Sequence, residues 1–289
     1  MMNILLEYES HTGKVSDKWD NYLPRYNELL GPFSDKAINL LEIGVQNGGS
    51  LEIWAKCFAH AQHIIGVDVD QKCAKLKFED DRISVIVGDA TDRATYEKII
   101  FKNKTFDVIV DDGSHTSSDI IKSFAHYFRN LSDGGVYIVE DLHASYWEGH
   151  GGGLYHPRSA IAFFKALADV VNFQSWGFPA KPTDILDTFF EKNDPSISFE
   201  TLSQIHSITF LSSLCVIEKR EASQNVINKE IIVGNDELVC PGRLLENGAV
   251  FEAVDQSQNP FKESIIESLQ CTVLEKDTQL SEQAKQLSE

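Results

Sequence analysis

Five short apolar runs between residues 38 and 140 constrain the fold more than any other feature of the chain. They are Ile38–Gly44, His63–Asp68, Ile83–Val87, Phe106–Asp111 and Gly135–Glu140. A run without polar alternation fits a strand covered on both faces, as in a parallel sheet. Helical patterns lie between them, at Ser50–Ala59, Gln71–Lys77, Thr91–Ile100 and Ser117–Leu131. In the first of these, Leu51, Trp54, Ala55 and Phe58 share one face. This alternation implies βαβ units, and so an α/β domain with helices on both faces of its sheet. Ile161–Asp169 reads as a further helix, and Ile205–Phe210 and Leu214–Glu218 as the last two strands. Ser212 and Ser213 between them suit a tight turn, so the sheet is expected to end in an antiparallel hairpin.

Around this domain, assigned to 37–220, three other segments differ in character. Residues 1–36 form an N-terminal helical segment, with an amphipathic helix near 18–30 stopped by Gly31-Pro32. Its aromatics Trp19, Tyr22 and Tyr26 are expected to pack on the main domain, with lining of a cleft or a subunit contact as the alternative. Residues 221–261 hold short β-like pieces, among them Ile231-Ile232-Val233 and Leu238-Val239, and read as a small β appendage. From 262 to 289, Ile266, Leu269, Val273, Leu280 and Leu287 fall on heptad-like spacing. That pattern predicts the start of a coiled-coil helix and a homo-oligomer formed through it, against a single exposed amphipathic helix. Residues 144–160, rich in glycine and aromatics, read as a lid or as a plain surface loop.

The formal net charge of −18 argues against a nucleic-acid partner, which needs clustered Lys and Arg. The five cysteines are scattered with no CxxC pair, so neither a zinc ribbon nor a disulfide framework is indicated. No apolar stretch approaches the roughly 20 residues that cross a bilayer, and the first residues lack a basic region. A cytoplasmic location is expected, with membrane association only through a partner.

The chemistry gathers at the carboxyl ends of two runs. Phe106-Asp-Val-Ile-Val-Asp-Asp-Gly-Ser-His115 delivers Asp111, Asp112 and His115, and Val139-Glu-Asp-Leu-His143 delivers Glu140, Asp141 and His143. Open α/β sheets bind ligands at such ends. Carboxylates are hard oxygen donors suited to Mg²⁺ or Mn²⁺. Three of them around one cation leave positions for two acceptor oxygens, and a nearby imidazole can take a hydroxyl proton. The bland alternative is that these groups cap helices and pair with neighbouring Lys and Arg. Leu40-Leu-Glu-Ile-Gly-Val-Gln-Asn-Gly-Gly-Ser50 closes the first strand and opens a helix, where glycines let backbone approach an anionic ligand. Its spacing departs from the GxGxxG of dinucleotide folds. Asp68, some twenty residues further on, is placed to accept ribose hydroxyls.

The E-x-G-x-x-x-G-G pattern resembles motif I of class I S-adenosylmethionine-dependent methyltransferases. The VDDGSH run, the VEDLH run about 28 residues later and the Tyr146-Trp147 beyond it resemble the metal-dependent macrolide sugar O-methyltransferases of the demethylmacrocin and mycinamicin type. The resemblance covers roughly residues 11–218, including Thr12-Gly-Lys14, the Tyr22/Tyr26 segment and LEIGVQNGGS. It implies a Rossmann-like class I sheet, and S-adenosylmethionine with Mg²⁺ or Mn²⁺ as cofactors. It implies cofactor contacts from Glu42, Gly44, Gly48, Ser50, Asp68, Asp89 and Asp111, with Asp89 near the adenine. Metal ligation falls to Asp112, Glu140 and Asp141, and the general base is His115, acting beside Asp112. The expected reaction is methyl transfer to a sugar hydroxyl. The heptad tail departs from the macrolide enzymes and points to the terminal sugar of a bacterial polysaccharide, as in O-antigen chain termination, or to a glycosylated metabolite. Alternatives are a catechol-type small-molecule enzyme and a non-catalytic assembly module that uses the coiled coil.

Overall fold

A computed structural model describes residues 3–260 apart from Asn193. The expected coiled coil at 262–289 lies outside the described residues. Two short helices come first, α1 (Ile4–Glu9) and α2 (Tyr22–Leu30). Then strands and helices alternate: β1 (Asn39–Ile43), α3 (Gly49–Cys57), β2 (His63–Asp68), β3 (Ile83–Val87), α4 (Arg93–Lys102), β4 (Phe106–Asp111), α5 (Ser117–Tyr127) and β5 (Leu131–Val139). Helices α6 (Ala160–Val171), α7 (Pro182–Leu186) and α8 (Phe199–Leu202) lead to β6 (Ile205–Leu211) and β7 (Leu214–Lys219).

The seven strands lie in the order β3-β2-β1-β4-β5-β7-β6. β1 to β5 are parallel, β7 runs antiparallel to β5, and β6 closes the edge antiparallel to β7. The expected terminal hairpin is thus present. The chain moves outward from β1 to β3, then returns to start β4 beside β1. The order therefore reverses between β1 and β4, and a crevice opens at their carboxyl ends.

The unbroken apolar runs are explained by burial on both faces. Along β4, Ile109 faces one core with α5 and α6, while Val108 and Val110 face the other with α2 and α3. Along β5, Tyr137 and Val139 join the first, and Val136 and Ile138 the second. The first core centres on Phe124, which stacks on Phe128 at 4.8 Å and meets Tyr137, Phe163 and Phe164 edge-on. Truncating this fully buried ring in Phe124→Ala is expected to cost about 3–5 kcal/mol, read as a lowered urea midpoint at unchanged slope. In the second core Trp54 packs edge-on with Tyr26 at 5.6 Å.

Three segments differ from the sequence reading. Residues 71–75 form only a 3-10 turn, because the chain extends at Leu76 and carries Leu76 and Phe78 onto the turn around Gly48. The helix expected from residue 18 starts at Tyr22. Residues 14–19 instead form an extended strap, held through Lys14 to Glu52, Val15 O to Gly49 N, and Trp19 to Asp141. In place of β pieces, 221–260 holds 3-10 turns and a single isolated bridge between Lys229 and Val250. Gly234, Gly242 and Gly248 adopt positive φ there, and Ile231, Val233, Leu238 and Val239 are exposed. No helix among the described residues is long and apolar enough to cross a membrane.

Candidate active site

A cleft of about 540 Å³ occupies the crevice, within the roughly 300–1,000 Å³ usual for small-molecule sites. Its walls come from the strap at Val15–Trp19, the turn Gly44–Gln46, Ser50, Asp68, the segment Gly88–Thr91, the run Asp111–His115, and Glu140 with Asp141.

The glycine turn is dictated by close backbone approach. Gly44 has φ +93°, and a Cβ there would stand 2.0 Å from the carbonyl oxygen of Asp112. Gly44→Ala is therefore expected to cost stability, about 1–3 kcal/mol from the backbone conformation alone, and to displace Asp112. Chemical denaturation reads the first effect, and calorimetry with S-adenosylhomocysteine and Mn²⁺ reads the second.

Asp68 ends β2 with one carboxylate oxygen accepting from Val45 N and Gln46 N, at 2.8 and 2.9 Å. The other oxygen accepts from Asp70 N at 2.8 Å. Burial would raise its pKa, yet these backbone N–H groups hold it below the ordinary value. Asp68, Asp89, Gly44 and Ser50 line the cleft together with Asp111. Asp89 accepts from the backbone and hydroxyl of Thr91. Burial pushes the Asp111 carboxyl up to about 7, and Tyr137 OH lies 3.3 Å from it.

Glu42 and Gly48 sit elsewhere. Glu42 is fully buried beneath the turn, where Ser50 Oγ and Trp54 Nε1 donate to it at 2.6 and 3.1 Å. Burial pushes its pKa up, and it braces the start of α3 without reaching the cleft wall. Gly48 is the left-handed residue ahead of α3, backed by Phe78.

On the opposite wall three predicted side chains converge. Asp112, His115 and Asp141 each offer a donor atom, all within 4.8 Å of one another. His115 Nε2 lies 3.9 Å from Asp112 Oδ1 and 3.8 Å from Asp141 Oδ2. The other oxygen of each aspartate is already engaged. Asp112 Oδ2 meets the Lys18 ammonium, and Asp141 Oδ1 accepts from Trp19 Nε1 at 2.8 Å and lies 2.9 Å from Tyr22 OH. His115 and Asp141 also hold left-handed backbone, φ 55° and 52°, which non-glycine residues adopt at a cost. Such strain concentrates at ligand sites.

Glu140, the third expected ligand, is only 2% exposed. Its Oε1 lies 2.5 Å from Tyr26 OH and 2.8 Å from Lys18 Nζ. Burial, with the Asp112 carboxylate nearby, pushes the Glu140 carboxyl up to about 8, and Lys18 and Tyr26 offset only part of the rise. Burial alone would lower the Lys18 pKa, yet Glu140 and Asp112 outweigh it and hold the ammonium well above the ordinary lysine value. The ammonium therefore stays charged. Glu140 lies outside the convergent group of Asp112, His115 and Asp141 and is paired with Lys18 instead. The Lys18 ammonium between Asp112 and Glu140 is a stand-in cation, and with the hard carboxylate donors it fits a divalent ion at Asp112 and Asp141 with Glu140 close behind.

Lys18 and Tyr26 were not singled out for this role from sequence. Their partners lie 94 to 122 residues away, so no local pattern could reveal them. Next to the cleft-lining Trp19, His143 packs edge-on against Trp19 at 5.9 Å and Trp147 at 4.9 Å, and both indoles are about half exposed. His143 Nδ1 shares a 2.5 Å hydrogen bond with Ser213 Oγ at the hairpin tip. The loop read as a lid or a plain surface loop folds as two 3-10 turns, with Gly153 N donating to Ser145 O.

Residues 41–142 match the family model described as a methyltransferase domain. The fold is that of the class I methyltransferases. Among curated proteins, the chain is 31% identical over 222 residues to the 8-demethyl-8-alpha-L-rhamnosyl tetracenomycin-C 2'-O-methyltransferase of Streptomyces olivaceus, covering 72% of this chain and 53% of that protein. It is also 31% identical over 173 residues to the demethylmacrocin O-methyltransferase of Streptomyces fradiae, covering 55% and 43%. The chain thus spans about half the length of these relatives. Among solved structures, the MycE methyltransferase from the mycinamycin biosynthetic pathway, in complex with Mg and SAH, superposes with a TM-score of 0.57 at 26% identity. That match covers 69% of this chain and 49% of the other. The expected likeness to macrolide sugar O-methyltransferases is therefore present in both sequence and fold.

Proposed function

We propose that this protein is a metal-dependent O-methyltransferase acting on a sugar hydroxyl. The convergence of Asp112, His115 and Asp141 on a cleft that continues to the glycine turn and Asp68 carries the reading. In it, the turn Gly44–Gln46, Ser50, Asp68, Asp89 and Asp111 hold S-adenosylmethionine, and Asp112, Glu140 and Asp141 hold Mg²⁺ or Mn²⁺. When bound, these supply an electrophilic methyl group and a Lewis acid that acidifies the acceptor hydroxyl. His115 Nε2 takes the hydroxyl proton, and Asp112 Oδ1 and Asp141 Oδ2 flank the ring and stabilise the resulting imidazolium. Trp19 of the strap and Tyr22 of α2 hold Asp141 by its remaining oxygen, so this side of the site needs little reorganisation.

The acceptor class rests on the mouth of the cleft. Two half-exposed indoles, Trp19 beside Asp141 and Trp147 packed on the same His143, suit the apolar face of a pyranose, and S. olivaceus and S. fradiae relatives carry names of sugar or macrolide methylation. We place the acceptor as a glycosyl group, either on a metabolite or at the end of a bacterial polysaccharide. Labelled methyl transfer from S-adenosylmethionine to a panel of both tests this. Transfer to a catechol but to no glycoside would overturn the sugar assignment, and no S-adenosylhomocysteine binding by calorimetry would overturn the enzyme assignment.

A further inference from the structure

Lys18 is the unexpected member of the site. Its side chain is 2% exposed, it contacts Asp112 Oδ2, and it lies 2.8 Å from Glu140 Oε1. Three things set it apart from an ordinary ion pair. It bridges two carboxylates from different strand ends, β4 and β5. It comes from a strap with no helix or strand of its own. That strap forms part of the cleft wall from Val15 to Trp19.

We infer that the Lys18 ammonium and the divalent ion compete for the same carboxylates, so that loading the ion expels Lys18 and loosens the strap over the cleft. The inference rests on the proposed metal-dependent reading of this site. Glu140 is buried and Asp112 half-buried, and both contact Lys18. A buried carboxylate needs a cation beside it, because isolated buried charge is strongly unfavourable. Lys18 supplies that charge through a long, flexible stem. A divalent ion on these oxygens, at ligand distances of about 2.0–2.1 Å, would stand within one side-chain diameter of the ammonium. Two cations in so dry a position repel strongly, and Mg²⁺ or Mn²⁺ brings twice the charge. Glu140 can therefore join Asp112 and Asp141 around the ion only as Lys18 leaves.

The strap is built to yield. Lys14 is tied to Glu52 at the cleft's outer side, with its backbone N at 2.8 Å and Nζ at 2.5 Å. His11 Nε2 bonds Lys14 O at 2.8 Å. Beyond that anchor, residues 15–19 are held by Gly49 N to Val15 O, by Ser16 to Tyr8, by Lys18, and by Trp19 to Asp141. Two of these four ties end on expected metal ligands, so the ion acts on the strap at both.

The test uses the full chain with Mn²⁺ alone as the probe. Calorimetry on wild type, Lys18→Met and Lys18→Arg measures ion affinity, and amide exchange with and without Mn²⁺ follows residues 14–19. Under competition, Lys18→Met binds Mn²⁺ at least about tenfold tighter than wild type, since a competitor for the ligands has gone. Lys18→Arg, which keeps the charge, binds no tighter than wild type. In wild type, Mn²⁺ speeds exchange at 14–19, a readout independent of how the variants fold. Equal or weaker Mn²⁺ binding by folded Lys18→Met, or strap exchange slowed by Mn²⁺ in wild type, overturns the inference. If no form binds Mn²⁺, the metal-dependent reading falls with it.

Discussion

Replacing His115 with alanine is expected to lower methyl transfer by about 10²–10⁴-fold, the usual contribution of a positioned general base, while S-adenosylhomocysteine binds almost as tightly as to wild type. The separation of the two effects follows from placement. His115 Nε2 faces Asp112 Oδ1 and Asp141 Oδ2 on the β4/β5 side of the cleft. The expected cofactor contacts from Gly44 and Asp68 lie on the β1/β2 side. His115 also adopts left-handed backbone, which alanine tolerates poorly, so the control is His115→Asn, enriched in that region. Asparagine keeps the turn but cannot serve as the base. Loss of both transfer and cofactor affinity in His115→Asn would discredit the proton-transfer role.

Removing the divalent ion is expected to have the other large effect. Exhaustive chelation should reduce transfer to the detection limit, and Mg²⁺ or Mn²⁺ should restore it. Without the ion, the acceptor hydroxyl keeps its ordinary acidity, far above neutral pH, and His115 must act alone. Asp141→Asn should weaken Mn²⁺ binding by about tenfold or more, while the neutral amide still accepts from Trp19 through its oxygen. Transfer that persists at full rate after chelation would remove the ion from the mechanism.

Much of this site is legible in the amino-acid sequence. Asp112, His115 and Asp141 follow apolar runs directly, and parallel strands with a switch in order bring such ends together. The pairing Asp111↔Val139 in the β4/β5 register then sets Asp112 beside Glu140. What escaped is long-range. Lys18 looks like any charged residue ahead of an amphipathic helix, and only folding reveals that its ammonium lies between two strand ends. Tyr22 and Tyr26 were expected to pack on the domain, and they do so with their rings. Their hydroxyls, one at Asp141 and one at Glu140, leave no trace in hydrophobic spacing. Glu42 shows the converse. Its position in the motif suggested a cofactor contact, but Ser50 and Trp54 turn it inward.

The hairpin of β6 and β7 has a bearing on which piece of chain can serve as a working unit. Its tip, Ser212 and Ser213, reaches back to the N-terminal segment and to the loop after β5. Ser213 O accepts from Leu142 N at 2.9 Å and lies 3.2 Å from Tyr22 OH, and Ser212 O accepts from Asn21 Nδ2 at 3.3 Å. The N-terminal segment and the β6/β7 hairpin thus clasp the same corner of the sheet. A fragment cut to residues 41–142 would retain every acidic side chain proposed to hold the cofactor or the ion, yet lose the two clamps beside them.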